Sequence, residues 1–421
     1  MITFCSFPFI GRALRRLPVF TCLAFAVATL SSPAAVTWQD IQFGGFASQG
    51  FMINTGHNDY LGETSEGTFD FREYAVNGSW AKGKFRIGAQ AFGQKLGVYG
   101  EDKIKLDWAT VDYQAAQWFG VRVGRVKMPR GLYNEALDLD MIRTQVLMPQ
   151  SVYDARLRDF NASFDGGMIY GNVTLQKAGS LDYKLFYGDV PMSDDSGASD
   201  FFNNNGTGTP STSVGIGMDS VLGGSLFWNT PVSGLRMGYS YSAFENFFNG
   251  RSLFVPQLGG QLTALKMADS YQRHLVSAEY TTGDWVFAAE IGRETGDYII
   301  TFSPIPLPAS GLNFSTTYGY VSATRRLTPK IAAGAYYSHS IETNEYVGYS
   351  ADSGTTVFPE LRQDDLALSL SFDPTDHLVL KIEGHYMDGA GKIFETPARP
   401  QPFANRDESW FLFAAKATIY F

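Results

Sequence analysis

Cysteine is almost absent from this 421-residue chain, which has only Cys5 and Cys22. Both lie before residue 36, so the rest of the chain can form no disulfide, thiolate metal site or cysteine nucleophile. Histidine is also scarce, at five residues, and charged residues make up only 18% of the sequence. After residue 35 no apolar run reaches the roughly 18 residues that a transmembrane helix needs. The composition is therefore unlike that of a soluble enzyme or a helical membrane protein.

The first 35 residues have the pattern of a secretory signal peptide. Three arginines at 12–16 precede an apolar run at 17–30, and small residues follow at 31–35. The apolar run is shorter than the roughly 20 residues of a spanning helix, which favours a cleaved signal over an anchor. We therefore predict a signal peptide at 1–35 and a mature chain at 36–421. Removing the three arginines would leave 30 basic and 42 acidic residues, a formal charge of −12.

Glycine and aromatic residues are abundant, with 44 Gly, 22 Tyr and 33 Phe. The last twelve residues alternate strictly: one face carries Phe411, Phe413 and Phe421, and the other carries Lys416 and Thr418. A strand with one face in lipid and the other in a wet lumen has this pattern. The alternative is an ordinary terminal strand of a soluble β-sandwich.

The same period of two recurs along the chain and predicts sixteen strands. They fall near 41–54, 69–81, 84–95, 104–115, 119–129, 166–176, 181–189, 221–230, 235–246, 269–281, 285–300, 315–327, 330–341, 361–373, 377–388 and 409–421. Connections after even-numbered strands are short, whereas several after odd-numbered strands are long and polar, as at 193–220, 247–268 and 343–360. Bacterial outer-membrane barrels have this asymmetry and an even number of strands. We predict an all-β fold, a transmembrane antiparallel β-barrel of about 16 strands.

Charged residues repeatedly occupy one face of these strands. Lys381, Glu383 and His385 alternate with Leu380 and Ile382. A closed sheet satisfies every backbone N–H and C=O in hydrocarbon, and a charge facing the lipid midplane would cost about 2–4 kcal/mol. The polar face is therefore predicted to line the lumen, which argues against a transporter of long-chain hydrocarbons.

One segment, at about 130–165, breaks the alternation between strands five and six. It mixes charges of both signs with apolar anchors that a fully solvated loop would not need. We therefore predict an external loop, the third, that folds inward against the barrel wall and constricts the pore. The candidate constriction residues are Arg122, Lys127, Arg130, Glu135, Asp138, Asp140, Arg143, Asp154, Arg156 and Arg158. The alternative is that these charges pair with one another and only fix the loop.

The charges of such a loop would dominate ion preference, because a narrow passage through a low-dielectric wall focuses their field. Arg122 should point into the lumen, and carboxylates of the loop could face it across the opening. Arg125 falls on the lipid side by strict alternation unless a bulge intervenes. The charge of −12 favours cations at the mouths, whereas an arginine-rich constriction favours anions. The sequence leaves the selectivity open.

On these features the chain resembles the bacterial outer-membrane porin superfamily. The resemblance rests on the long loop after strand five, Gly-Arg-x-Lys-x-Pro-x-Gly-Leu-Tyr at 124–133, Pro-Gln-Ser-Val-Tyr at 149–153 and the terminal Phe421. The first motif looks like that of phosphate-selective and related substrate-specific porins. The resemblance implies a third loop that narrows the pore and a homotrimer. It also implies a C-terminal strand that the barrel-assembly machinery reads at Phe421.

The predicted function is a porin in the outer membrane of a Gram-negative cell. Its water-filled channel would pass ions and small polar solutes by diffusion, and its wall would contact outer-membrane lipid and lipopolysaccharide. The alternative is an adhesion or binding barrel with a closed lumen. We expect no enzymatic activity and no catalytic residue, because neighbours such as His339 and Ser340 point to opposite faces of a strand. We also expect no cofactor, no metal and no nucleic acid, and the acidic stretch at 193–200 is more simply a solvated loop than a calcium site.

Overall fold

The computed structural model describes residues 40–421 except 98, 195, 200–210, 256–259, 305–309, 348–354 and 394–400. The predicted signal peptide at 1–35 lies outside the described residues. Within the described part of the chain, no helix is long and apolar enough to cross a membrane.

Sixteen antiparallel strands form one closed sheet. They are β1 Ile41–Asn54, β2 Phe71–Lys82, β3 Phe85–Leu96, β4 Ile104–Ala116, β5 Phe119–Lys127, β6 Ser163–Thr174, β7 Ser180–Asp189, β8 Ser211–Gly217 with Ser220–Asn229, β9 Leu235–Val255, β10 Gly260–Thr282, β11 Trp285–Ser303, β12 Ser310–Thr328, β13 Ile331–Val347, β14 Thr355–Thr375, β15 Leu378–Gly389 and β16 Ser409–Tyr420. The two parts of β8 count as one interrupted strand because both pair with β9. Each observed strand overlaps one of the sixteen predicted strands, so the fold class and strand number are confirmed.

The first and last strands close the barrel. β1 pairs with β16 from Phe46 opposite Tyr420 to Asn54 opposite Leu412, and it pairs with β2 on its other side. Phe421 continues this contact, because its backbone N donates to Gly45 O at 3.1 Å and its O accepts from Gly45 N at 3.2 Å. The sheet therefore has no free edge between its termini.

Side chains sort by face as the alternation predicted. In β15, Lys381, Glu383 and His385 are buried. Leu380 and Ile382, which alternate with them along the strand, are exposed on the opposite face. β16 follows the same rule, with exposed Phe411 and Phe413 on one face and buried Lys416 and Thr418 on the other. The charged face is the interior of the barrel, and the apolar face is its outer wall.

Two connections predicted as long loops, 247–268 and 343–360, are largely strand. β9 extends to Val255 and β10 begins at Gly260, while β13 extends to Val347 and β14 begins at Thr355. The prediction was wrong here because the ladder shifts register between Ala268 and Tyr271, and again after Ile341. Such irregularities interrupt the period of two on which the strands were recognised.

The third loop lies two to three residues earlier in the sequence than the predicted 130–165. β5 ends at Lys127, two residues early, before Met128 and Pro129. β6 begins at Ser163 rather than near 166, because Ser163 pairs with Lys127 and Asp165 with Arg125. The connection, here called the loop segment, therefore comprises residues 128–162.

Candidate functional site

The loop segment is folded into short helical turns rather than extended chain. It contains 3₁₀ turns at Asn134–Ala136, Asp140–Ile142 and Ala155–Leu157, followed by one α-helical turn at Arg158–Asn161. The side chain of Asn134 donates to Met128 O at 2.9 Å and to Asn161 O at 2.7 Å. These two bonds bring the beginning and the end of the segment together.

One side of the loop segment is fixed by Glu290 on β11. Its carboxylate accepts hydrogen bonds from Leu132 N at 2.9 Å and from the Tyr153 hydroxyl, and it also accepts from Ser277 and Tyr320. Glu290 is 3% exposed. A buried carboxylate without these donors would be costly, so the contacts strongly favour this position of the loop.

A second carboxylate, Glu383 on β15, holds the far part of the segment. It accepts from Val146 N at 3.1 Å and from Leu147 N at 2.9 Å. His385 lies between Glu383 and Asp365, with its two ring nitrogens 3.0 Å from a carboxylate oxygen of each. The loop segment is therefore attached to β11 and to β15, which lie on separate parts of the wall.

Asp140 of the loop segment meets three cations. Its Oδ1 lies 3.1 Å from Lys381 Nζ, 3.4 Å from Lys416 Nζ and 3.4 Å from a guanidinium nitrogen of Arg143. Thr418 donates to its other oxygen at 2.7 Å. Burial raises the pKa of Asp140, but the positive charges of Lys416, Lys381 and Arg143 more than offset this and hold the pKa well below its usual range.

Asp138 belongs to a second charge cluster, which lies where β4 begins and β5 ends. It contacts Lys127, and its Oδ1 lies 2.6 Å from Arg158. Both cations also reach Asp107, at 3.4 Å from Lys127 and 2.5 Å from Arg158. Burial raises the pKa of Asp138, but Arg158 and Lys127 outweigh it, so the pKa is well below its usual range.

Asp154 and Arg156 form a buried pair within the loop segment. Two guanidinium nitrogens of Arg156 donate to the carboxylate at 2.8 and 2.9 Å, and the guanidinium lies 5.2 Å from the centre of the Tyr60 ring. Arg130 is also buried, where it donates to Val152 O at 2.6 Å and to the Tyr318 hydroxyl at 3.3 Å. Arg130 thus connects the loop segment to Tyr318, and Arg156 connects it to Tyr60.

The remaining predicted constriction residues lie apart from these clusters. Arg122 donates to Asp112 at 2.7 Å, and Glu135 pairs with Lys184. Arg125, the ambiguous position, forms a bidentate pair with Asp165, whose two oxygens each lie 2.7 Å from it. The structure thus joins Lys127, Asp138 and Arg158 in one cluster and Asp140 and Arg143 in another.

Several residues of the site were missed by the sequence analysis. They are Glu73, Asp107, Glu290, Asp365, Lys381, Glu383, His385 and Lys416. Alternation assigned some of them to the lumen face as single charges. The contacts of Glu383 with Val146 and Leu147 join residues 237 and 236 positions apart and leave no local signal in the sequence.

Two adjoining cavities border the loop segment. The smaller, of about 50 Å³, lies between the segment and residues of β2, β3 and β16, with Glu73, Arg143 and Lys416 in its wall; we call it the passage. The larger, of about 480 Å³, includes Lys103, Lys105 and Asp159 in its wall; we call it the vestibule cavity. Gln94 and Arg158 belong to both walls. By the measure that allots about 10–15 Å³ to one water, the passage holds a few water molecules.

Among the described residues, no group of three or more His, Cys, Asp or Glu side chains is arranged to hold a metal ion. Residues 195 and 200 of the acidic stretch at 193–200 lie outside that part. Asp194 accepts a hydrogen bond from Ile216 N at 3.1 Å.

A closed barrel of sixteen antiparallel strands, apolar outside and charged inside, is the architecture of bacterial outer-membrane porins. The chain is similar to OmpF of Salmonella typhi, solved in complex with daunomycin, with 10% identity and a TM-score of 0.56 over 91% of this chain and 99% of that one. OmpT of Vibrio cholerae gives 12% identity and a TM-score of 0.52, and the outer-membrane channel DcaP of Acinetobacter baumannii gives 11% and 0.51; each match covers 90% of this chain and 97% of the other. No protein-family model and no curated protein sequence matches the chain. At identities this low, the structural similarity shows a shared fold alone.

Proposed function

We propose that the protein is an outer-membrane diffusion channel for ions and small polar solutes. The observation that carries the proposal is the charged inner face of a closed barrel, with two adjoining cavities beside the loop segment that contacts this face. An apolar outer wall suits lipid, and a charged inner wall suits water. Channel function in porin-fold neighbours such as DcaP is consistent with this assignment.

In this proposal the loop segment is the constriction. It contacts the inner faces of β11 through Glu290 and of β15 and β16 through Glu383, Lys381 and Lys416. A segment attached to inner faces on separate parts of one closed sheet crosses the lumen between them. The passage is the space left beside it, and its wall includes Arg143, Asp154 and Arg158 of the predicted set.

The decisive measurement is single-channel recording with the purified full-length protein in a planar bilayer. A diffusion channel gives stepwise current at both voltage signs without added ligand. A barrel that served only adhesion, with a closed lumen, would give no steps, and that result would overturn the proposal. A heat-induced shift in gel mobility of each preparation would show that the barrel was folded.

The outer membrane is the proposed location, with lipid and lipopolysaccharide around the apolar wall. Fractionation of the native cells should recover the protein with the outer membrane and with the predicted segment at 1–35 removed. Recovery in the periplasm as a soluble protein would contradict the proposal. N-terminal sequencing of the recovered protein would test cleavage after residue 34 or 35.

A homotrimer is the proposed assembly, and the barrel-assembly machinery is the proposed reader of Phe421. Native mass spectrometry in detergent should give three copies. Phe421→Ala should lower the yield of folded barrel in cells while purified protein still refolds in detergent, because the ring is 73% exposed and contributes little to packing. Equal loss in both settings would indicate a structural role for Phe421, whose backbone pairs with Gly45.

A further inference from the structure

We infer that the passage favours small anions, with Arg143 and Arg158 as the residues that determine this preference. The inference rests on the proposed channel function and adds the sign of the charge that crosses. Composition alone does not decide between cations and anions. The formal charge without residues 1–35 is −12, which by itself would favour cations.

The walls of both cavities carry more cations than carboxylates. The passage has Lys95, Arg143, Arg158 and Lys416 against Glu73 and Asp154. The vestibule cavity has Lys103, Lys105, Arg125, Arg156 and Arg158 against Glu101, Asp107 and Asp159. The side chains in these two walls therefore carry a net positive formal charge, opposite in sign to that of the chain as a whole, and the narrowest region of a channel controls ion preference.

Three carboxylates of the loop segment are withdrawn from water, while Arg143 and Arg158 are more accessible. The side chains of Asp138 and Asp140 are each 2% exposed and that of Asp154 is 3% exposed. Arg158 and Arg143 are 11% and 15% exposed. These three carboxylates thus pair with cations of the loop segment and the wall, and the guanidinium groups of Arg143 and Arg158 present their charge to the passage.

Glu135 and Asp159 are more exposed, at 35% and 31%, and they pair with Lys184 and Lys105. Glu73, in the wall of the passage, has 25% of its side chain exposed. It pairs with Lys416, which lies 1% exposed beside it and also contacts Asp140. Among the described residues, the carboxylates that pair with Arg143, Lys381 and Lys416 are those of Asp140 and Glu73, which leaves one net positive charge in this cluster. The exposed carboxylate therefore does not cancel the field of the arginines.

Arg158 is the residue that an anion would meet in both cavities. Its guanidinium lies 3.8 Å from the centre of the Phe92 ring, and it pairs with Asp107 and Asp138. These contacts fix its position at the junction of the two cavities. The small volume of the passage, about 50 Å³, favours small anions.

The test is the reversal potential of the full-length protein in a planar bilayer across a potassium chloride gradient. The native protein should favour chloride over potassium. Arg143→Gln should lower the chloride-to-potassium permeability ratio by about twofold or more, since it removes a charge at the passage. Asp140 would keep Lys381 and Lys416 as partners, and Arg143→Lys should retain the native ratio. The matched control is Lys177→Gln, an equal change of charge at an exposed lysine in the short turn after β6.

A second measurement needs no variant. Raising the salt from about 0.1 M to about 1 M shortens the Debye length from about 10 Å to about 3 Å and should bring the permeability ratio towards unity. Stepwise current with no anion preference would overturn this inference while leaving the channel function intact. An unchanged ratio in folded Arg143→Gln would remove Arg143 as a determinant. Absence of any current would instead overturn the proposed function.

Discussion

The Nε2 atom of His385 lies 3.0 Å from Oε1 of Glu383, and this same carboxylate oxygen accepts the backbone N–H of Leu147. The histidine is fully buried and its other nitrogen faces Asp365. His385 thus orients the side chain of Glu383, and Glu383 holds the main chain of the loop segment. The contact links the position of the loop to the charge state of three adjacent inner-face residues on β14 and β15.

Replacing Glu383 with alanine should release the loop segment at Val146 and Leu147. The change leaves two backbone N–H groups without their acceptor and costs about 1–3 kcal/mol for each buried donor. We expect a larger or noisier single-channel conductance. Asp388→Ala on the same strand is the control, because Asp388 is 43% exposed on the outer face and pairs with Arg362. Identical, native conductance in both variants would contradict the assigned anchor.

Gly131→Ala should displace the loop segment from β11. Gly131 has φ of +60°, and a Cβ there would lie 2.5 Å from a Glu290 oxygen and 2.7 Å from the Tyr153 hydroxyl. Gly83→Ala is a matched control, since Gly83 has φ of +59° and no atom within 4 Å of its Cβ position. Both variants bear a backbone cost of about 1–2 kcal/mol. Only Gly131→Ala should also alter conductance, and an equal effect at Gly83 would refute the steric argument.

Acid should release the loop segment only at low pH. The nearby cations hold the pKa of Asp138, Asp140 and Asp154 below the usual range, although burial alone would raise it. Groups with depressed folded pKa stabilise the fold above their unfolded pKa of about 4, and this contribution is lost as the pH falls through the folded pKa. These three carboxylates therefore stay ionised from pH 7 to pH 5, and their loss of charge should change the conductance only below about pH 4. A transition near pH 6 would show that other groups control the loop.

Asp140→Asn should destabilise the loop segment more than any single surface change. Lys381 and Lys416 are 0% and 1% exposed and would lose their shared carboxylate. Breaking a buried ion pair by removing one partner costs about 3–5 kcal/mol. The double variant Asp140→Asn with Lys381→Met should recover part of the loss, since it also removes one unpaired charge. Hydrogen exchange at residues 140–147 would measure both effects, and no recovery in the double variant would argue against a direct pair.

The period of two predicted the barrel well because successive side chains of each strand face lipid and the barrel interior in turn. It placed Lys381, Glu383 and His385 on the inner face correctly, and the structure confirms their burial. It failed where β9, β10, β13 and β14 continue beyond register shifts, since pairing persists there without clean alternation. A local pattern records the environment of a residue but not irregularities of the ladder.

The site was less predictable for a different reason. The charged segment near 130–165 was recognisable, but its partners Glu290, Glu383 and Lys416 come from strands far along the chain. A lone lumen-facing charge has the same sequence signature whether it meets water, a solute or a loop. Arg122 and Arg143 were grouped together from the sequence, whereas Arg122 pairs with Asp112 on β4 and Arg143 lies at the passage.

Attachment of the loop segment to β11 through Glu290 and to β15 through Glu383 ties two separate strands of the barrel wall together. Such a tie resists flattening of the barrel, so in the proposed channel the pore width and the stiffness of the wall would depend on the same few contacts. A wider channel that lost these contacts would have a weaker wall, unless new bonds between neighbouring strands replaced them.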